Sequence, residues 1–513
     1  MKQRQEIHVQ GIPIGSVYRR ARLKPALREI FRRIVLLVIT IITTAGAGTA
    51  QDNTLYFLHA APQTLELNPA LQYRCNTFVE LPVISSIAAG INSTGASWHN
   101  AIRYSTLNNA PVYLVDFNTL QRTMRKVSTI KANVDVTLLG FGFRHNNWYF
   151  SFLVANHTEA RTDIPKDILV LKDGNWNLQT NLPRDLSLKR AGVNAVNYTS
   201  ISVAASKKVD DYLQWGVRVK YLMGAASLTT RSSELQLKTT TNPITLQAGA
   251  NAKVSLSFPM DIAYDANGLV QNVSFSRAGT NILGNYFFNG NQGLGLDAGV
   301  IYHRDENLTL YASLTDLGFI WWRSNINQLK VNGAFTFTGV DLSNFNTVQQ
   351  TQLLQSLADS VQNAFRLNNY RKSYVALTST KVYGGGTWQF NDKLNAGLLG
   401  RFDIYAWRLH PSLTASFNYI PFRFLSLSAS TSYMNNSLGN FGFALAIGGK
   451  GALFYLASDN MPFRFVQDKG TGLVWPYNAR NISVRTGIDL VFGCSDRKKH
   501  VRQRSRGICP AYD

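Results

Sequence analysis

The run Asn481-Ile482-Ser483-Val484-Arg485-Thr486-Gly487-Ile488-Asp489-Leu490-Val491-Phe492-Gly493 alternates without a break. Ile482, Val484, Thr486, Ile488, Leu490 and Phe492 fall on one face, and Ser483, Arg485, Gly487 and Asp489 on the other. A period of two is the signature of a β-strand. An apolar face backed by charged and small polar residues suits a wall with lipid outside and a wet lumen inside. A soluble sandwich also alternates, but its strands average about 5 to 6 residues, whereas a strand that crosses a bilayer needs about 9 to 11. This run is long enough to cross.

The same pattern recurs upstream. Trp215, Val217, Val219, Tyr221 and Met223 alternate with Gly216, Arg218, Lys220, Leu222 and Gly224. Leu308, Leu310, Ala312 and Leu314 alternate with Thr309, Tyr311, Ser313 and Thr315, and Leu394, Ala396, Leu398, Phe402 and Ile404 oppose Asn395, Gly397, Arg401 and Asp403. Leu425, Leu427, Ala429, Thr431 and Tyr433 alternate with a row of serines at 426, 428, 430 and 432. Runs of suitable length fall at 76–91, 127–145, 147–159, 192–206, 211–226, 245–258, 292–304, 307–321, 372–389, 392–407, 410–420, 423–434, 440–457 and 481–493. They predict an all-β fold: a transmembrane antiparallel β-barrel of about 14 strands spanning 76–494. An even number returns both termini to the periplasm. Trp148, Tyr149, Trp215, Trp321, Trp322, Trp388, Trp407 and Tyr433 sit toward segment ends, as interfacial girdles do.

Composition agrees: 12% of the 513 residues are aromatic and 16% charged, against roughly 25% charged in an average soluble domain. A net charge of +22 would ordinarily suggest a nucleic-acid partner. Half of that excess lies before Ile34 and after Gly493, so no nucleic acid is expected.

Residues 1–50 read as a signal peptide. A basic stretch ends in Phe31-Arg32-Arg33, an apolar run follows from Ile34 to Ile42, and Gly48 and Ala50 sit at the −3 and −1 positions of a cleavage before Gln51. The apolar run is about half the length a membrane-spanning helix needs. Residues 51–75 are apolar but irregular and predict a lumenal plug carrying Leu55, Tyr56, Phe57, Asn68 and Pro69. Residues 342–367 space their apolar side chains for an amphipathic helix in a long extracellular loop, and 495–513 form a basic periplasmic tail.

No catalytic site or metal site is expected. The eight histidines do not cluster, and HExxH, G-x-S-x-G and paired-cysteine motifs are absent. Gly384-Gly385-Gly386 and Gly448-Gly449-Lys450-Gly451 miss the spacing of a phosphate loop, and they read instead as bends or as room beside the wall. The charges on the polar face, Arg218, Lys220, Arg401, Asp403, Arg485 and Asp489, line the expected lumen. They set selectivity if the lumen conducts, or else pair with one another or with the plug. Cys75 lies just before the first strand and Cys494 just after the last, and in a closed even-stranded barrel these strands are neighbours. A disulfide across this seam follows as the hypothesis.

Several stretches resemble a family of Bacteroidota outer-membrane barrels related to FadL-like and PorV/PorP-type proteins. They are Leu55-Tyr56-Phe57-Leu58 with Leu67-Asn68-Pro69-Ala70, Trp215 to Leu222, Gly293 to Gly299, Leu314 to Ile320, Phe454 to Asn460, and Asn478 to Asn481 running into Leu490 to Cys494. The resemblance implies a FadL-like barrel in the Gram-negative outer membrane, surrounded by its lipid and without a cofactor. It implies a non-enzymatic role in a secretion (type IX) or surface-attachment assembly with a protein partner. The alternative it implies is a transport channel for apolar or amphipathic small molecules.

Overall fold

A computed structural model of the chain describes residues 52–95, 102–107, 110–170, 173, 175–177, 179–241, 244–257, 260–264, 270–275, 290–337, 366–405, 408–434, 437–449, 451–460, 465–467, 474–476 and 481–494. The signal peptide and the basic tail lie outside these residues, as does most of the expected helix at 342–367. The last two residues of that stretch, Arg366 and Leu367, instead open a strand, Arg366–Tyr370.

Fourteen antiparallel strands close into a barrel, each paired with its neighbours in sequence. The first, β1, runs in two pieces, Cys75–Glu80 and Ile87–Ser93. It is followed by β2 (Val127–His145), β3 (Trp148–Pro165), β4 (Gly192–Lys208), β5 (Leu213–Thr241), β6 (Gln292–His303) and β7 (Leu308–Trp322). Next comes β8, again in two pieces, Tyr374–Leu377 and Thr380–Asn391, and then β9 (Leu394–Tyr405) and β10 (Arg408–Phe422). The wall ends with β11 (Leu425–Met434), β12 (Ser437–Gly448), β13 (Gly451–Ser458) and β14 (Asn481–Cys494). Both pieces of β1 pair with β14 on one side and β2 on the other, so the sheet has no free edge.

Closure matters because bilayer hydrocarbon offers no partner for an unpaired backbone amide. The outward face is apolar: Val203, Val219, Leu294, Leu398, Phe417, Phe441, Val484 and Ile488 are all exposed. Ser202, Arg218, Lys220, Arg401, Asp403, Ser430, Arg485 and Asp489 point inward and are buried. Among the described residues no helix is long and apolar enough to cross a membrane; here the strands cross. The chain is therefore a membrane-spanning β-barrel of the outer-membrane kind.

Fourteen strands result, though not from the fourteen runs read above. Residues 440–457 form two strands rather than one. Gly448 and Gly451 adopt φ of +136° and +97°, which side-chain-bearing residues rarely do, and the chain turns back between them. Conversely, Ile244–Ser257 is not part of the barrel wall. The far half of β5 outruns the barrel and pairs with it, and Ile326–Phe337 and Arg366–Tyr370 extend this sheet beyond the rim. The membrane sets the length of a strand only where it crosses, so alternation continued past the rim imitates a further crossing.

Strands β2–β3, β4–β5, β6–β7, β8–β9, β10–β11 and β12–β13 are joined by short turns at one rim, which also carries Cys75 and Cys494. Trp148, Trp215, Tyr302, Trp388, Phe390, Phe422 and Phe424 gather near that end, in keeping with an interfacial girdle. Tyr149 and Trp322 do not join a girdle. Both face inward, at 2% and 0% exposure. For Trp322 the cause is a bulge at Asp316 (φ 60°), which shifts the pairing with β6 and reverses the faces above it. Trp407 lies outside the described residues.

Candidate functional site: the filled lumen

Residues 52–74 run through the lumen. They contain only a three-residue turn of 3-10 helix, Leu55–Phe57, and one turn of α-helix, Thr64–Leu67, neither with a side-chain cap. Such short turns do not hold on their own, and the barrel wall supplies what they lack. Leu55, Tyr56, Phe57, Leu58, Leu65, Leu67 and Tyr73 pack with the inward aromatics Phe78, Tyr149, Tyr311, Tyr383 and Tyr455. Tyr56 stacks on Tyr383 at 5.4 Å and meets Tyr311 edge-on at 6.0 Å. Burial pushes the Tyr56 and Tyr73 phenols well above their ordinary range, so both stay neutral. Pro69 lies against Gly216, where a β-carbon would fall 2.1 Å from the Pro69 carbonyl oxygen, and the Asn68 side chain occupies the same space over Gly299.

The polar wall grips the segment's backbone. The Arg218 guanidinium donates to the carbonyls of Leu65 (2.8 Å) and Glu66 (3.3 Å), and Ser313 donates to that of Leu67 (2.8 Å). Arg144 donates to Gln72 and to the Tyr73 carbonyl, each at 2.6 Å. The serine row of β11 meets the segment through Thr54, 2.7 Å from Ser430, while Asn53 donates to Thr414 at 2.8 Å. Asp459, just beyond the end of β13, accepts the amides of Asn53 and Thr54 at 2.6 Å each. Burial and the adjacent Asp52 carboxylate push its acid up to about 7, against the pull of the two amide donors.

Each charge singled out on the polar face has a partner. Arg218 and Lys220 share Asp297 at 3.2 and 2.9 Å, and Lys220 also reaches Asp316 at 2.5 Å. Arg401 pairs with Asp403 at 2.7 Å and donates to Asn53. Arg485 holds Glu66 at 2.5 Å and Asp52 at 3.6 Å, and Asp489 accepts from Gln63. Cys75 and Cys494 are joined by a disulfide with α-carbons 3.8 Å apart, at the foot of the segment and across the seam between β1 and β14.

A second layer crosses the lumen beyond the segment. Lys131 on β2 and Arg161 on β3 lie over the ring of Tyr405 on β9, at 4.6 and 5.2 Å, although β2 and β9 are on opposite sides of the barrel. Lys131 pairs with Glu159 at 2.8 Å, and Glu159 accepts from Ser379 of the strand-β8 region at 2.9 Å. Tyr405 in turn stacks on His410, centroids 3.9 Å apart. Nearby, Trp322, Ile320, Leu222 and Tyr374 form a separate buried cluster. The sequence reading missed this layer. The inward phase of Asp297 could have been read from the glycines at 293, 295 and 299, but contacts between β2 and β9 leave no trace in local spacing.

The fold and the site define a class: a closed transmembrane barrel whose lumen is occupied by its own N-terminal segment and cross-braced by ion pairs. Residues 69–459 match the model of DUF5723, a family of unknown function, and the chain belongs to that family. No curated protein matches. Among solved structures, the chain is similar to the P. putida toluene transporter TodX at 10% identity (87% of this chain, 96% of that one, TM-score 0.34). It is similar to the Ralstonia pickettii toluene transporter TbuX at 9% (88% and 96%, TM-score 0.39) and to a Pseudomonas aeruginosa FadL homologue at 9% (88% and 100%, TM-score 0.35). At such scores the likeness says nothing of a cargo.

Proposed function

We propose that this protein is a non-enzymatic outer-membrane barrel that docks a protein of a secretion or surface-attachment assembly rather than conducting solute. One observation carries the reading: the lumen is crossed twice, by residues 52–74 and by the bridge of Lys131, Glu159, Arg161 and Tyr405. Buried, hydrogen-bonded charges are costly to separate, so neither layer favours a standing pore. Outer-membrane barrels keep short turns on the periplasmic side. On that rule Cys75 and Cys494 face the periplasm, and the sheet continued by β5 projects outward as a surface for a partner.

A second reading, a channel for apolar or amphipathic small molecules, has one feature in its favour. The ladder of β1 is interrupted between Glu80 and Ile87, where Leu81, Val83 and Ile84 bulge outward. Gentle extraction of the tagged protein from its native membrane, with mass spectrometry of co-purifying proteins and lipids, separates the two. A stoichiometric protein partner with no conductance in planar bilayers is expected. A bound apolar molecule with no partner overturns the docking reading.

A further inference from the structure

Two carboxylates face each other at the seam without a cation. Glu80 of β1 and Asp489 of β14 are register partners, both inward, at 2% and 0% exposure. Neither forms an ion pair among the described residues. Arg485, the adjacent cation, is engaged by Glu66, Asp52 and the Ser86 hydroxyl. Like charges directly opposite on neighbouring strands repel, and an unpaired buried charge is more costly still.

What sits between them is one amide. Gln63 Nε2 lies 2.9 Å from Glu80 Oε1, 2.9 and 3.0 Å from the two oxygens of Asp489, and 3.3 Å from the Ser85 carbonyl. Two hydrogens therefore face four acceptor oxygens. Meanwhile Gln63 Oε1 and Glu80 Oε2 have no hydrogen-bond partner, although Gln63 is fully buried. Amide nitrogen and oxygen are interchangeable by a half-turn of the side chain. Turned that way, Gln63 adds its oxygen to a set already holding one oxygen of Glu80, both of Asp489 and the Ser85 carbonyl. The wall makes room for this arrangement. The Ser85 carbonyl oxygen lies 1.8 Å from where a β-carbon of Gly487 would be, and Glu80 Oε2 lies 2.0 Å from that of Gly140.

We infer that Glu80, Asp489, Gln63 and the Ser85 carbonyl bind one calcium ion. Five oxygens from four residues, completed by water, reach the six to eight that calcium takes, and two carboxylates without an ion pair match its valence. Magnesium, which keeps several waters, suits so enclosed a set less well. The ion ties the lumenal segment, through Gln63, to both strands of the seam that the disulfide closes. The site is independent of whether the barrel docks a partner or conducts.

The test uses the full-length processed protein in detergent with its disulfide intact, stripped with a chelator and titrated with calcium chloride by calorimetry, alongside thermal melting. One calcium per chain, a raised melting temperature, weaker binding of magnesium and loss of binding in Asp489→Asn and Gln63→Ala are expected. Absence of calcium binding by the wild-type protein at millimolar calcium overturns the inference and leaves the pair held by protons. Undiminished binding in both variants, with their β circular dichroism unchanged, also overturns it, as calcium held elsewhere.

Discussion

Placing a side chain at Gly216 should dislodge the lumenal segment while leaving the wall intact. A β-carbon there would lie 2.1 Å from the carbonyl oxygen of Pro69, 2.5 Å from its carbon and 2.8 Å from Cα of Ala70. All three are backbone atoms, so no rotamer change relieves the overlap. Ordinary contacts are about 3.5 Å or more, and the segment must retreat by about 1 Å. That retreat strains the hydrogen bonds from Gln214 to the Ala70 carbonyl and from the Ala70 amide to Asn68. Overpacking costs about 1–3 kcal/mol and a lost hydrogen bond about 1 kcal/mol. A total of about 2–4 kcal/mol raises the displaced population roughly 30- to 1,000-fold. The assay is the labelling rate of a buried reporter, Ala60→Cys in a Cys509→Ser background, by a membrane-impermeant maleimide. Gly216→Val should label at least about 30-fold faster than its parent. Gly384→Ala, whose added methyl meets nothing within 4 Å, should not. Equal rates for the two variants would refute the idea that the segment is seated by close approach to the wall.

Asp297→Ala leaves Arg218 and Lys220 without their shared carboxylate. It should destabilise the barrel by about 3–5 kcal/mol in urea titrations monitored by tryptophan fluorescence. Cys75 and Cys494 are separated by 419 positions in sequence. Reducing their bond should lower the unfolding free energy by about 5 kcal/mol, near the upper end of disulfide effects, and so lower the unfolding midpoint; an unchanged midpoint would show that the β1–β14 ladder suffices. The folded-state acid of Asp459 lies at about 7, above the unfolded value near 3.9. Its contribution is therefore complete below about pH 4 and is lost as pH rises to about 7. Melting temperature should fall across that window, and Asp459→Asn should flatten the slope. Two barriers in series predict that neither Gly216→Val nor Tyr405→Ala conducts alone in planar bilayers, whereas the combined variant does.

The wall was legible because each crossing strand writes its two environments into alternate residues, as Ile482 to Phe492 does. The six lumenal charges were legible for the same reason, since phase alone assigns Arg218 or Asp489 to the inside. Strand count was less secure: the turn at Gly448 to Gly451 hides between two alternating runs, and Ile244–Ser257 alternates without crossing. Which partner each charge takes was not legible. Their partners come from across a strand pair, as Asp297 does for Arg218, or from the lumenal segment, as Glu66 does for Arg485 and Gln63 for Asp489.

Local sequence thus determined that this chain makes amphipathic crossing strands, because a residue's phase depends only on its neighbours and the solvent each face meets. Only the closed barrel decided that Lys131 would meet Tyr405, that Ser430 would seat Thr54, and that Glu80 would face Asp489 across one amide. Those contacts depend on strand register and on which strand closes against which, quantities set by the whole ring at once.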